Sequence, residues 1–348
     1  MVISRKSQKS GDDSVNLQAE NITINTGLTI AHVKEIALDV FEDNFNKLAG
    51  VAKETADNRA KEITEQFLSE LVSNNPEGLE VAEDPDFQYS LFHVQKEYAR
   101  CGDKELGDIL VDILVDRSKE EGRSLLQIVL NESLTVAPKL NAIQLDIISC
   151  FFNIVYTQDN DVGNLEGFRE YINNAVLVFA DAIGEKDSNY QHINYVGCAT
   201  VRSVSIDILE ALMIRYKAVF VKGFKVELLY DISEECPQIL KVLIPCKHNE
   251  SLFQARGLND DAIKEMCREE GISENHTNKL IDITNQHMMN SDEATEFLNS
   301  ICPKFEKFLE DVQKTRFKNL ELTSVGIAIA HAHSRKKAGF DADLSMWI

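Results

Sequence analysis

The sequence predicts a mainly α protein: a multi-helix bundle with a short two-stranded β segment at its N-terminus and a few short strands in the middle and at the C-terminus. Two observations carry this expectation. Apolar residues recur at helical spacing through most of the 348 residues. The alternation that marks strands is concentrated in residues 11–27, before that helical spacing begins. With 44% hydrophobic residues the chain can bury a proper core, and its length leaves room for two or three domains.

The β segment reads GDDSVNLQAENITINTG. Val15, Leu17 and Ala19 alternate with Asn16 and Gln18, and Ile22 and Ile24 alternate with Thr23 and Asn25. Glu20-Asn21 forms the turn or arch between them. A lone two-stranded hairpin is marginal in water, so these strands need to dock on their own body or on copies of themselves. The candidate assembly residues are therefore Val15, Leu17, Gln18, Ala19, Ile22 and Ile24, with Asn and Gln able to ladder between stacked chains.

Helical spacing starts after Gly27. Ile30, Val33, Ile36, Val40, Phe41, Phe45 and Leu48 form one stripe, continued by Ala52, Ala56, Ala60, Ile63, Phe67 and Leu71. Unbroken, this is a helix of roughly 45 residues and about 65 Å, a coiled-coil candidate, with Gly50 as the place for a kink or break. Asn74-Asn75-Pro76-Glu77-Gly78 ends it. Further helices are expected over residues 85–102, 106–117, 125–134, 142–156, 165–181 and 193–221. Residues 224–244 read equally as strands or helix ends. A soft boundary falls in the loop at 245–249. After it come helices at 260–270, 274–289, 292–318 (kinked at Pro303) and 322–337, then a strand-like tail carrying the sole tryptophan, Trp347. The expected organisation is thus a β tag over 1–27, the long helix over 28–75, a helical body over 76–248 and a C-terminal helical region over 249–348.

Charge narrows the function classes. A net charge of −21 opposes phosphate backbones and anionic membranes. The seven cysteines are widely spaced with no CxxC, as expected of reduced thiols in a cytoplasmic protein. Arg5, Lys6 and Lys9 are followed by no apolar signal core, and the longest apolar runs fall far short of the ~20 residues a membrane span requires. No nucleotide-binding, zinc-protease, serine-hydrolase or kinase signature is present, and no cofactor is expected.

The weak candidates for chemistry are carboxylates. Asp108, Asp112 and Asp116 lie four apart on one helix, with Glu120 next in register. Such a line suits a hard cation or general acid–base work; its commoner use is the wet side of an amphipathic helix. Glu97, Arg100, Asp103 and Arg117 lie near the same helix pair and read as ion pairs clamping helices. His331 and His333, two apart on a helix, point in opposed directions and do not share a metal. Residues 262–281 resemble a helix-turn-helix, yet residues 257–300 carry only Lys264, Arg268 and Lys279 against many acidic residues. A packing hairpin is expected rather than a DNA reader.

The opening segment also resembles the tag G-D-x-S-x-x-x-Q-A-x-x-x-I-x-I-x-x-G of bacterial conflict and phage-defence proteins. It matches at Gly11, Asp12, Ser14, Gln18 and Ala19, carries Ile22, Ile24 and Gly27 in the same mutual spacing one residue earlier, and departs at Glu20, where glycine is usual. Residues 28–117, through GLTIAHVKEIALDVFEDNF, DPDFQYSLFHVQKEYAR and LGDILVDILVDR, are similar to an uncharacterised bacterial family bearing this tag. So is the ending LTSVGIAIAHAHSRKKAGFDADLSMWI, which is loosely similar to helical abortive-infection proteins. The resemblance implies a homo-oligomeric assembly or adaptor protein in an antiphage pathway, partnered by itself through the tag and first helix or by another protein bearing the tag. It brings no catalytic residues. Two alternatives stand beside it: a metal-dependent hydrolase or nuclease at Asp108, Asp112 and Asp116, and a membrane-disrupting effector using residues 325–330 with Arg335, Lys336 and Lys337.

Overall fold

The computed structural model describes residues 29–45, 50–120 and 122–348. The strand segment with Val15, Leu17, Gln18, Ala19, Ile22 and Ile24 lies outside the described residues. The rest is mainly α, as the apolar spacing predicts.

The first stripe forms two helices, α1 (Ile30–Phe45) and α2 (Val51–Asn74). Gly50 caps α2 with a φ of +60°, a conformation glycine adopts at no steric cost, so the long helix is divided there. Both helices pack on each other and on α3 (Pro85–Cys101). Val33, Ala37 and Phe41 of α1 and Ile63, Phe67 and Leu71 of α2 are buried. Gln95 of α3 donates to the Ala37 carbonyl (3.1 Å) and to Thr64 Oγ1 (2.9 Å), tying all three helices together. Among the described residues of the stripe that suggested a coiled-coil partner, Val33, Phe41, Ile63, Phe67 and Leu71 are thus covered within the chain, whereas Ile30 and Ala52 are exposed.

Capping fixes the next elements. Asp84 accepts from the Phe87 amide, and Pro85 occupies the first turn of α3. Asp103 caps α4 (Lys104–Arg117) through the Leu106 amide, and Ser124 caps α5 (Leu125–Val136). Each such cap contributes about 1 kcal/mol. Asn141 and Gln144 form a reciprocal capping box at α6 (Ala142–Val155), a helix buried on almost every side.

Several long helices of the sequence reading are interrupted. Residues 165–181 begin as α7 (Leu165–Tyr171), widen into a π turn over Ile172–Val176 and tighten into a 3-10 helix, Leu177–Ala182. Residues 193–221 are not one helix. α8 (Asp187–Tyr195) ends before Gly197, whose φ is +85°; then come β1 (Ala199–Val201), α9 (Ile208–Arg215) and α10 (Lys217–Phe220). The ambiguous stretch 224–244 is mostly short helix: 3-10 turns at Val226–Leu229 and Pro237–Val242 flank α11 (Tyr230–Glu235), and only β2 (Leu243–Pro245) is strand. It pairs antiparallel with β3 (Phe253–Ala255), so the boundary expected near 248 falls at the tip of a hairpin.

The helical hairpin is α12 (Asp260–Glu269) and α13 (Glu274–Gln286), joined at Gly271 and capped by Ser273. With β2, β3 and α11 it buries a small separate core including Phe224, Ile239, Ile263, Cys267 and Leu280. Pro303, which has no amide hydrogen to donate, divides the next stretch into α14 (Ser291–Ile301) and α15 (Phe305–Lys314). β4 (Leu320–Leu322) then pairs antiparallel with β1, Leu322 opposite Ala199.

α16 (Ser324–Ala338) closes the fold. It packs on α4, α5 and α6, and residues 326–334 are buried throughout. Gly326, Ala328, Ala330 and Ala332 leave room for those neighbours. The strand-like tail is a 3-10 turn, Leu344–Met346, because Trp347 folds back to donate from Nε1 to the Tyr156 carbonyl (2.9 Å) and packs against Phe152.

Candidate functional site

The acidic line on α4 meets the last helix. Asp108 accepts from Gln66 Nε2 of α2 (2.6 Å) and stands apart from the other two. Asp112 and Asp116 face Arg335 of α16, with Nη1 3.2 Å from Asp112 Oδ1 and Nη2 3.0 Å from Asp116 Oδ2. Lys336 pairs with Glu70 at 3.0 Å and lies 4.0 Å from Asp112. Glu120 accepts from Ser124 Oγ. So the line is partly wet side and partly buried anchor, and the partners that hold it to other helices include Gln66 of α2 and Arg335 of α16.

Asp112, Asp116, Glu120, Arg335 and Lys336, but not Asp108, border a cavity of about 480 Å³ whose wall also includes Asp341 and Asp343 from the tail. Asp112 is only 6% exposed, and its Oδ2 has no partner. Burial pushes its carboxyl up to about 6; Asp116 adds to the rise, and Arg335 opposes it. His331 stands beside this group. Its Nε2 lies 2.8 Å from the Ala342 carbonyl, which can only accept, so Nε2 carries the proton and Nδ1 accepts from Arg335 Nη2 at 3.2 Å. Burial holds that imidazole below its ordinary range, so the ring is neutral at pH 7.

His333 points the other way, as two-residue spacing on a helix requires. Its Nδ1 lies 2.9 Å from Ser149 Oγ of α6, and its Nε2 lies 3.1 Å from Glu105 Oε1 of α4. Asp146 of α6 stands 3.8 Å from the same Nε2 and is also held by Lys337. A serine, a histidine and a carboxylate in this order have the connectivity of an acyl-transfer triad. Ser149 is fully buried within α6, however, so its hydroxyl has no face to offer a substrate. Nothing in the sequence joins Ser149, Glu105 and His333; they are brought together by the packing of α16.

The clamp residues separate. Arg100 pairs with Glu97 at 2.7 Å, and Asp103 is a helix cap. Arg117, 2% exposed, turns instead to Asp86 (2.7 Å) and to Asn131 (3.0 Å) at the edge of a cavity of about 800 Å³ between α3 and α5. The apolar run at 325–330 lies in the core against α4, α5 and α6, and no helix among the described residues is long and apolar enough to cross a membrane.

A family model matches residues 27–348 of the chain. No curated protein and no solved structure matches the chain.

Proposed function

We propose that this chain, which belongs to the family matched over residues 27–348, is a non-enzymatic assembly or adaptor protein of a bacterial conflict or antiphage pathway, acting as a homo-oligomer. The observation that carries this reading is the alternating segment of Val15, Leu17, Ala19, Ile22 and Ile24, whose apolar face needs a partner. It stands directly before a body in which Asp112 and Asp116, the best-placed carboxylates for chemistry, are engaged by Arg335. The tag joins copies, and the helical body is what they bring together.

Native mass measurement tests it. The full chain is expected at a multiple of the 39.2 kDa monomer, and removal of residues 1–27 is expected to return it to monomer. A full-length protein that is monomeric at micromolar concentration and unchanged by the deletion would sink the reading.

A second reading rests on Asp112, whose raised carboxyl and unpartnered Oδ2 border a cavity large enough for a small substrate. This is the metal-dependent hydrolase or nuclease. It requires Mg²⁺- or Mn²⁺-stimulated hydrolysis that Asp112→Asn abolishes.

A further inference from the structure

We propose that Glu105, Asp146 and His333 form a binding site for one divalent transition-metal ion, distinct from the Asp112–Asp116–Arg335 cluster and beyond the assembly reading. The three side chains come from α4, α6 and α16, and one ligand atom from each lies within 4.8 Å of the others.

The spacing suits a single ion. Donors held about 2.1 Å from a metal stand about 3.0 Å apart at right angles and about 3.4 Å apart in a tetrahedron. Here His333 Nε2 is 3.1 Å from Glu105 Oε1 and 3.8 Å from Asp146 Oδ1, both close to these separations, and the two carboxylate oxygens lie within 4.8 Å of each other, so the donors need only close in around the ion. One imidazole with two carboxylates favours Zn²⁺ or Mn²⁺ over Ca²⁺, which prefers an all-oxygen shell. His333 is 1% exposed, whereas the Glu105 side chain is 44% exposed, so the site has a rigid floor and an open side through which an ion enters and keeps water.

The shell behind the histidine is in place. In the metal-free protein Nε2–H donates to Glu105 and Ser149 donates to Nδ1. On loading, the Nε2 lone pair goes to the metal and the ring proton moves to Nδ1. Ser149 Oγ accepts it there and turns its own hydrogen toward the Ala330 carbonyl, 3.4 Å away. A ligating imidazole held through its second nitrogen in this way is the usual arrangement around protein-bound metals. Lys337 now sits against Asp146 and over the Phe179 ring, 5.3 Å from its centroid. It is the built-in competitor: its ammonium pairs with Asp146, and the metal takes its place.

That competition provides the test. The full chain, stripped with a chelator, is titrated with Zn²⁺ and with Mn²⁺ by calorimetry. One ion per chain is expected. Glu105→Gln, at a half-exposed position that does not threaten folding, is expected to weaken binding at least tenfold. Lys337→Met is expected to strengthen it about tenfold, a change that a merely structural His333–Glu105 hydrogen bond would not produce. Ser149→Ala, which removes a positioning residue, is expected to weaken it 10- to 100-fold. No binding by the wild-type chain, or either charge variant within twofold of wild type, overturns the proposal.

Discussion

Arg335 on the last helix and Asp112 on α4 lie 3.2 Å apart, Nη1 to Oδ1, although 223 residues separate them in the sequence. The same guanidinium holds Asp116, so one side chain fixes α16 against two successive turns of α4. Removing it strands a buried carboxylate. Breaking a buried pair from one side costs about 3–5 kcal/mol, and the partial exposure of Arg335 scales this down to roughly 2–3 kcal/mol for Arg335→Ala. Adding Asp112→Asn in that background is expected to restore part of the loss, since the stranded charge is then gone. Urea unfolding of the two single variants and the double variant measures this. A double variant at least as unstable as the sum of the singles would show that the two residues are not coupled.

The same carboxylate sets a pH dependence. Asp112 titrates near 6 in the folded protein against 3.8 in the free side chain, chiefly because it is buried. Between about pH 4 and 6 the native state therefore holds the proton more tightly than the unfolded chain. Stability from this group falls as pH rises through that window and is gone above it. His331 acts in the opposite sense. Its folded pKa is lowered, so the unfolded chain takes up its proton first, and stability is lost as pH falls below about 6.5. Asp112→Asn removes only the first effect. The stability of the variant relative to wild type is expected to rise by on the order of 2–3 kcal/mol between pH 4 and 7, as measured by urea midpoints across that range. A difference that stays flat with pH would mean that Asp112 is ionised at little cost.

The helices of the body were legible where an apolar stripe coincided with a cap. Asp84-Pro85 marks the start of α3 because a side-chain oxygen and a fixed φ act locally, whereas Asp103, which reads in sequence as an ion-pair residue, is the cap of α4. Residues 193–221 misled because their apolar spacing continues through Gly197, and nothing local announces that residues 199–201 pair with a strand beyond residue 319. The place of α16 was hidden for a related reason. A stretch such as AIAHAHS has no polar face, which is what full burial requires, but it names no neighbour. The candidate site shares this limit. Asp112 and Asp116 stood out as a line four residues apart, whereas Arg335, Glu105, Ser149 and His333 acquire their roles only through contacts between distant helices.

Gly326 is where that central helix meets the rest of the chain most closely. A Cβ built on it would lie 1.8 Å from the Cys198 carbonyl oxygen. That oxygen cannot retreat easily, because it accepts from the Thr323 amide (3.0 Å) and from Thr323 Oγ1 (3.2 Å), the residue that caps α16. Gly326→Ala must therefore move either the helix start or the loop that leads into β1. Overpacking of this kind typically costs about 1–3 kcal/mol and occasionally more, and a backbone contact this short belongs at the upper end. The better helix propensity of alanine returns only about 1 kcal/mol. The variant is expected to lose about 2 kcal/mol net, read as a lower Tm and an earlier urea midpoint. Gly271→Ala is the useful comparison, since no atom lies within 4 Å of its added methyl and only its φ of +70° opposes the change. If Gly326→Ala proved as stable as wild type while Gly271→Ala did not, α16 would have to sit farther from Cys198 than this packing places it.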